Sequence, residues 1–189
     1  MKLRFQKDKL MNAINIVQKA VPSKTTMTIL QCILIDAQSD TIRLTGNDTE
    51  LGIETKAEGE ILSHGRIALE AKLFSEIIRK LSGEDEIILE SDENLSTTIK
   101  SGKALFRIQG RDPQEYSYIP HIGRDQYICI SEYTLKEIIR QTIFSISPND
   151  SNRMMTGEYL KVEGNRLSLT ALDGHRMSVR NVFTTSASP

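Results

Sequence analysis

Polar and apolar residues alternate along Lys2-Leu3-Arg4-Phe5, the period of a strand with one buried face. The period then lengthens. Leu10, Ile14, Val17 and Val21 recur at helical spacing, with Asp8 as the predicted N-cap. Past the Pro22-Ser23-Lys24-Thr25 loop, strands are predicted near Gln31–Ala37, Thr41–Thr45 and Leu51–Ala57. The order restarts at Gly65, with a short strand at Arg66–Leu69 and a helix at Lys72–Leu81 that carries Phe74, Ile77, Ile78 and Leu81 on one face. Strands near Glu86–Glu90, Leu95–Lys100 and Ala104–Gln109 complete it. Each half therefore reads strand, helix, strand, strand, strand.

The halves align at an offset of 64, which places Leu3 on Ile67, Leu10 on Phe74 and Ile14 on Ile78. An offset of 125 is cleaner: Leu3, Phe5, Leu10, Ile14 and Val21 fall on Ile128, Ile130, Leu135, Ile139 and Ile146. Ile42, Leu44, Thr45 and Asp48 then fall without a gap on Leu167, Leu169, Thr170 and Asp173. Repetition of this kind decides fold class before any motif does. The helices are amphipathic, so one side packs on sheet and the other meets a polar surround. The expectation is an α+β fold of repeated β-α-β-β-β units with two helices per domain on antiparallel sheets. Domain 1 is expected over 1–122. Residues 123–189 are expected to be the N-terminal half of a second domain, because 66–110 have no counterpart downstream.

Composition narrows the class. Hydrophobic residues make up 39% and charged residues 26%, as in ordinary globular proteins. No apolar run nears the roughly 18 residues of a membrane span, and the MKLRFQKDKL start lacks a signal-peptide core. Cys32 and Cys129 are expected as buried thiols without a disulfide, which fits a cytoplasmic protein. The net charge of −1 hides segregation: residues 1–20 carry five bases (Lys2, Arg4, Lys7, Lys9, Lys19) against Asp8, while residues 84–93 carry six acids and no base. Such a distribution fits one face toward a polyanion and another toward solvent. Lys9, Lys19, Lys72, Arg79, Lys80, Lys136 and Arg140 lie largely off the apolar stripes, with Glu76, Glu132 and Glu137 among them.

The stretch LTALDGHRMSV brings Asp173, Gly174, His175 and Arg176 together after a strand. Hydrolysis would need a nucleophile, a base and an oxyanion site to converge. Ser168 and Ser178 show no nucleophile-elbow pattern, and the three histidines (His64, His121, His175) lack metal-ligand spacing. Asp48 occupies the place of Asp173 in the first copy, so Asp173 is expected to cap a turn.

Several segments in order carry a resemblance: the MKL-x-F start, LTGND at Leu44–Asp48, SGKALFRIQGRDPQEY at Ser101–Tyr116, RMMTG at Arg153–Gly157, and LTALDGHRMSV. Together the chain resembles the N-terminal half of the bacterial DNA polymerase III beta subunit family, the sliding clamps. Ser117 and Leu172 depart from the usual Pro and Thr of that pattern. The resemblance implies a DNA-clamp fold and a ring: a homodimer that encircles double-stranded DNA, with helices lining the hole. It implies a processivity factor that tethers the replicative polymerase catalytic subunit and serves the clamp loader and other proteins bearing a clamp-binding motif. Such a protein needs no cofactor or metal, catalyses no reaction and has no membrane partner.

Residue by residue, the resemblance places Lys24, Lys72, Asn149, Arg153 and Met154 at DNA. Arg79, Lys80, Lys136 and Arg140 join them as helical cations, since bases near a duplex gain by counterion release. It makes Met155, Leu172, Gly174, His175, Arg176 and Met177 part of a hydrophobic pocket for a peptide with Leu and Phe anchors, the rest of which family members build from a third domain. It puts Phe106 and Ile108 on a strand at the subunit interface. Two alternatives stand beside it: a repeat-domain interaction scaffold that never encircles DNA, and a small hydrolase using His175 and Asp173.

Overall fold

A computed structural model describes residues 1–82, 86–116, 127–148 and 152–184, and the backbone of 186–187. Asn149, Ser117, His121, the acids Glu84 and Asp85, and the boundary expected at 122/123 lie outside the described residues. The chain divides into two compact units, Met1–Pro120 and His121–Pro189.

The first unit runs β1 (Lys2–Phe5), α1 (Lys7–Val17), β2 (Cys32–Ala37), β3 (Ile42–Asn47), β4 (Gly52–Ala57), β5 (Glu60–Ser63), β6 (Gly65–Glu70), α2 (Ala71–Lys80), β7 (Ile87–Ser91), β8 (Ser96–Ser101) and β9 (Ala104–Gln109). All its strand pairs are antiparallel. One sheet has the order β5-β1-β7-β8-β9 and the other β4-β3-β2-β6. Each half therefore gives its leading strand to the other half's sheet: β1 pairs with β7, and β6 pairs with β2. That exchange welds the halves into one core. Leu3 and Phe5, Leu10 and Ile14 of α1, Phe74 and Ile78 of α2, and Ile33, Leu44, Ile67, Leu89 and Ile99 of both sheets share it.

α1 and α2 run antiparallel. The Lys7 ammonium at the start of α1 donates to the carbonyls of Arg79 (2.9 Å) and Leu81 at the end of α2. A C-terminal helix end carries partial negative charge and unsatisfied carbonyls, so Lys7 answers both. At the other end, Gln18 and Val21 line a cleft with Ala71 and Lys72. A smaller cluster fills the opposite face of β2 and β6: Ile29, Leu30, Cys32, Leu34 and Ala68 close around Tyr116. The Tyr116 hydroxyl donates to the carbonyls of Thr45 (3.1 Å) and Cys32 (3.4 Å), and burial pushes its pKa far up.

The second unit holds β10 (Ile128–Cys129), α3 (Glu132–Thr142), β11 (Tyr159–Glu163), β12 (Arg166–Leu172), β13 (Met177–Phe183) and β14 (Ser186–Ala187). The repeat is kept in register. α1 and α3 both begin and end 125 residues apart. Ile42↔Ala57 and Asn47↔Gly52 of β3–β4 become Leu167↔Val182 and Leu172↔Met177 of β12–β13, again at 125. Leu34↔Thr45 becomes Tyr159↔Thr170. β14 on β10 follows β5 on β1 with a slip of one residue. Ile138, Leu167 and Leu169 form the core of this unit, with Ile128, Ile130, Leu135, Ile139 and Val182 against it.

Four expectations change. Asp8 lies inside α1, whose N-cap position is Gln6. Val21 is extended, because the helix ends at Val17 and a 3-10 turn (Gln18–Ala20) follows. β5 has no strong alternation in sequence and exists as an edge partner of β1. Cys129 is exposed, since the short strand β10 lies on an edge, while Cys32 is buried; neither forms a disulfide.

Candidate functional site

The Asp-Gly-His-Arg stretch is a turn, and the first unit contains the same one. Asp173 Oδ1 accepts from the backbone N–H of His175 (2.9 Å) and Arg176 (3.0 Å). Asp48 Oδ1 accepts from Glu50 (2.9 Å) and Leu51 (2.6 Å), the corresponding positions. Side chains of this kind mimic a backbone turn. Gly174 adopts φ +90°, the left-handed region that favours glycine. The N–H of His175 foremost, with that of Arg176, holds the Asp173 carboxyl below the usual range, and the N–H groups of Leu51 and Glu50 do so for Asp48. A depressed pKa contributes stability above the ordinary carboxylate pKa of about 4, and that contribution disappears as pH falls through the folded value. Melting temperature is therefore expected to drop below about pH 4, and less steeply in the Asp48→Asn/Asp173→Asn double variant. An unchanged pH profile in that variant would remove these carboxylates from the account.

Arg176 is doubly placed. Its Nε donates to Asp173 Oδ2 (2.8 Å), and its guanidinium lies 5.9 Å from the Phe144 ring centroid, within cation–π range. His175 and Met177 are exposed beside it.

An open cavity of about 510 Å³ adjoins this turn, lined by Asn152, Met154, Met155, Gly157, Glu158, Tyr159, Thr170 and Leu172. Strand alternation builds it. Leu167, Leu169 and Ala171 of β12 are buried, so Thr170 and Leu172 project from the other face, where Tyr159 is paired to Thr170. A 3-10 turn (Arg153–Met155) supplies the methionines. It is fixed by Asn152 Oδ1 accepting from the Met154 N–H (3.2 Å) and by the Ser147 N–H donating to the Met155 carbonyl (2.8 Å). Glu158 Oε1 accepts from Thr142 Oγ1 at the end of α3 (2.6 Å). Two of the expected pocket residues, Met155 and Leu172, thus share a wall, and Gly174 to Met177 form the adjoining turn. Sequence reading missed Asn152, Gly157, Glu158, Tyr159 and Thr170. The outward phase of β12 was the available signal. Met154, expected at DNA, is 91% exposed and lines the apolar cavity with Met155.

The basic residues divide. Antiparallel pairing of β1 with β7 sets the basic strand beside the acidic one, where Lys2 meets Glu90 (3.0 Å) and Arg4 meets Glu86 (3.5 Å); on the other side Arg4 meets Glu60 of β5 (2.9 Å). Lys9 pairs with Glu58 (2.9 Å) and Lys7 caps α2. Part of the segregation in sequence is therefore cancelled in space, and of the five N-terminal bases Lys19 alone has neither role among the described residues. Lys24, Lys72, Arg79, Lys80, Lys136 and Arg153 are exposed. Arg140 is exposed too, but Glu137 grips it with two hydrogen bonds (3.1 and 2.8 Å), which neutralises much of its charge. Arg79 and Arg140 occupy one place in the module, that of Asn15 in α1, at offsets of 64 and 125. Among the described residues, no group of His, Cys, Asp or Glu could hold a metal, and no helix is long and apolar enough to cross a membrane.

Comparison with known proteins places this geometry. Residues 1–120 match the DNA polymerase III beta subunit N-terminal domain, and residues 129–189 match its central domain. The chain belongs to the DNA polymerase III beta subunit family. It is 39% identical over 188 residues to the beta sliding clamp of Bacillus subtilis, covering 95% of this chain and 50% of that protein. A putative DNA polymerase III beta subunit from Eubacterium rectale superposes with a TM-score of 0.92 at 50% identity, covering 99% of this chain and 51% of that one. A sliding clamp from Bartonella birtlesii, solved bound to griselimycin, superposes with a TM-score of 0.89 at 26% identity, covering 99% and 51%. The chain spans about half the length of the relatives it matches. Its α+β architecture is the sliding-clamp fold.

Within this beta-subunit fold, β9 is the end strand of its sheet, with one edge unpaired among the described residues. The expected interface residues differ in what they can offer. Phe106 is 37% exposed, but Ile108 is 8% exposed and belongs to the core, because it faces inward opposite Thr97. Ile108 can present only its backbone to a neighbour.

Proposed function

We propose that this chain is part of a ring-shaped processivity factor that encircles duplex DNA and tethers a replicative polymerase. The observation that carries the reading is the recurrence of one module with its strand register intact at 125 residues. The repeated module carries an amphipathic helix each time, and the cations that these helices expose suit a polyanion. Lys24, Lys72, Arg79, Lys80, Lys136 and Arg153 are its phosphate contacts. They need no base readout, since bonds to base edges would pin a sliding protein. Asn149 belongs to this set by resemblance, and Met154 belongs to the cavity.

The cavity beside the Asp173 turn is the dock for a short peptide from the polymerase, the clamp loader or other partners, with His175, Arg176 and Met177 at its rim. Met155, Met154 and Leu172 suit it, because flexible thioethers and an aliphatic side chain adapt to varied apolar anchors. Griselimycin on the Bartonella birtlesii clamp is consistent with a ligand site on this fold. The free edge of β9 is the place for a second subunit, since exposed strand edges call for a partner. The function requires no cofactor and no catalytic group, and its place is the cytoplasm.

Retention on DNA tests the reading. The intact protein, once loaded, is expected to stay on circular duplex through a high-salt wash and to leave linear duplex by its ends. Lys72→Glu/Arg79→Glu should lower retention on circles chiefly at loading, and weaken direct binding with a salt slope smaller by roughly 2. Equal retention on circles and lines would favour the scaffold alternative.

A further inference from the structure

One ridge recurs on all three helices with different residues along it. It holds Asp8, Asn12 and Asn15 on α1; at the offset of 64 these become Lys72, Glu76 and Arg79 on α2, and at 125 Tyr133, Glu137 and Arg140 on α3. The ridge is exposed on both helices of the first unit, and Tyr133 and Arg140 are exposed on α3. α2 and α3 thus carry the same glutamate three residues before the same arginine, a spacing that brings the two side chains within reach. The outcomes differ. Arg140 donates to Glu137 through Nε (3.1 Å) and Nη2 (2.8 Å). Arg79 forms no ion pair with Glu76 among the described residues; its Nη2 lies 3.5 Å from the hydroxyl of buried Ser75, a long contact that leaves the rest of the guanidinium open. At the place of Ser75, α3 has Lys136, a cation that offers Arg140 no acceptor, and the guanidinium closes on Glu137 instead.

We infer, given the DNA reading, that the hold on the duplex is set by which arginine is free: Arg79 of α2 meets phosphate, and Glu137 keeps the equivalent Arg140 out of the contact. A guanidinium presents one planar fork, whether to a carboxylate or to a phosphate. Glu137 fills that fork. Its side chain is only 27% exposed against 66% for Arg140, so a phosphate must displace a carboxylate already seated beneath the arginine. Arg140, foremost through its hydrogen bond, holds the Glu137 carboxyl below the usual range, and the pair stays charged and closed at neutral pH. α1 offers no cation on this ridge, and its Asp8 repels phosphate. Of three equivalent ridges one grips, one is restrained and one opposes. A restrained grip suits a sliding protein, since each further phosphate contact tightens binding through counterion release.

Titration of a short labelled duplex with the intact protein, between about 50 and 200 mM salt, tests this. Glu137→Gln and Glu76→Gln remove the same charge from equivalent places. Glu137→Gln is expected to raise affinity about two- to fivefold and to steepen the salt slope by roughly 1 per chain, as Arg140 is released. Glu76→Gln should leave the slope unchanged, because Arg79 is already free. Arg79→Gln should weaken binding and flatten the slope by roughly 1, whereas Arg140→Gln should change neither. Unfolding would weaken binding, so the expected gain guards the first comparison. Equal gains and slopes for the two glutamate variants, the result that net charge alone would produce, would overturn the inference and leave the DNA reading standing. Equal losses for the two arginine variants would do the same. Binding unaltered by both Arg79→Gln and Lys72→Glu/Arg79→Glu removes the DNA reading, and this assignment with it.

Discussion

Phe74→Ala is expected to destabilise the first unit by about 3–5 kcal/mol, the range for emptying a buried aromatic site. Phe74 is fully buried on α2 and belongs to the core that joins both sheets. The exchanged strands leave this core little freedom to collapse, because β1 and β6 are each tied by hydrogen bonds to the other half. Urea unfolding followed by far-UV circular dichroism measures the change. The consequence reaches function, since α2 also carries Lys72, Arg79 and Lys80 on its exposed side. A helix that loses its apolar anchor presents those cations from a less fixed ridge. A loss below about 1 kcal/mol would mean that neighbours refill the space, contrary to the packing argued here.

Gly46→Ala should cost about 3 kcal/mol, at the upper end of overpacking effects. The reason is space, not backbone freedom. A Cβ on Gly46 would run into the Val17 carbonyl oxygen and lie 3.1 Å from its carbon, and neither atom belongs to a flexible side chain. β3 and the end of α1 therefore touch backbone to backbone at this point. The second unit makes the control, because Ala171 occupies the same place at an offset of 125 and is buried there without conflict. Ala171→Gly should lose only about 1–2 kcal/mol, from one methyl group and added backbone entropy. Comparable losses for the two changes would show that helix and sheet approach equally closely in both units.

Much of this was readable from spacing. Leu10, Ile14 and Val17 placed α1, and Phe74, Ile77 and Ile78 placed α2, because burial on one helical face leaves a local period. Asp48 against Asp173 foretold a turn-capping role that the hydrogen bonds bear out. Spacing failed where the partner was remote. The basic N-terminal strand and the acidic run looked like opposite faces, yet Lys2 and Glu90 are cross-strand neighbours. Lys9 looked like a contact for a polyanion, and Glu58 takes it. Ile108, placed on an interface strand by resemblance, turns its side chain into the core.

Sequence alone determined the module, its elements other than the edge strand β5, and its period of 125, since those rest on alternation and helical spacing that a residue shares with its near neighbours. Tertiary structure alone decided which strands pair, which charges cancel, and that Tyr116 closes a second cluster against Ile29, Leu30, Cys32, Leu34 and Ala68. The physical reason is that hydrogen-bonded sheet partners and buried contacts join residues far apart in the chain, and no short-range pattern records which distant segment will arrive.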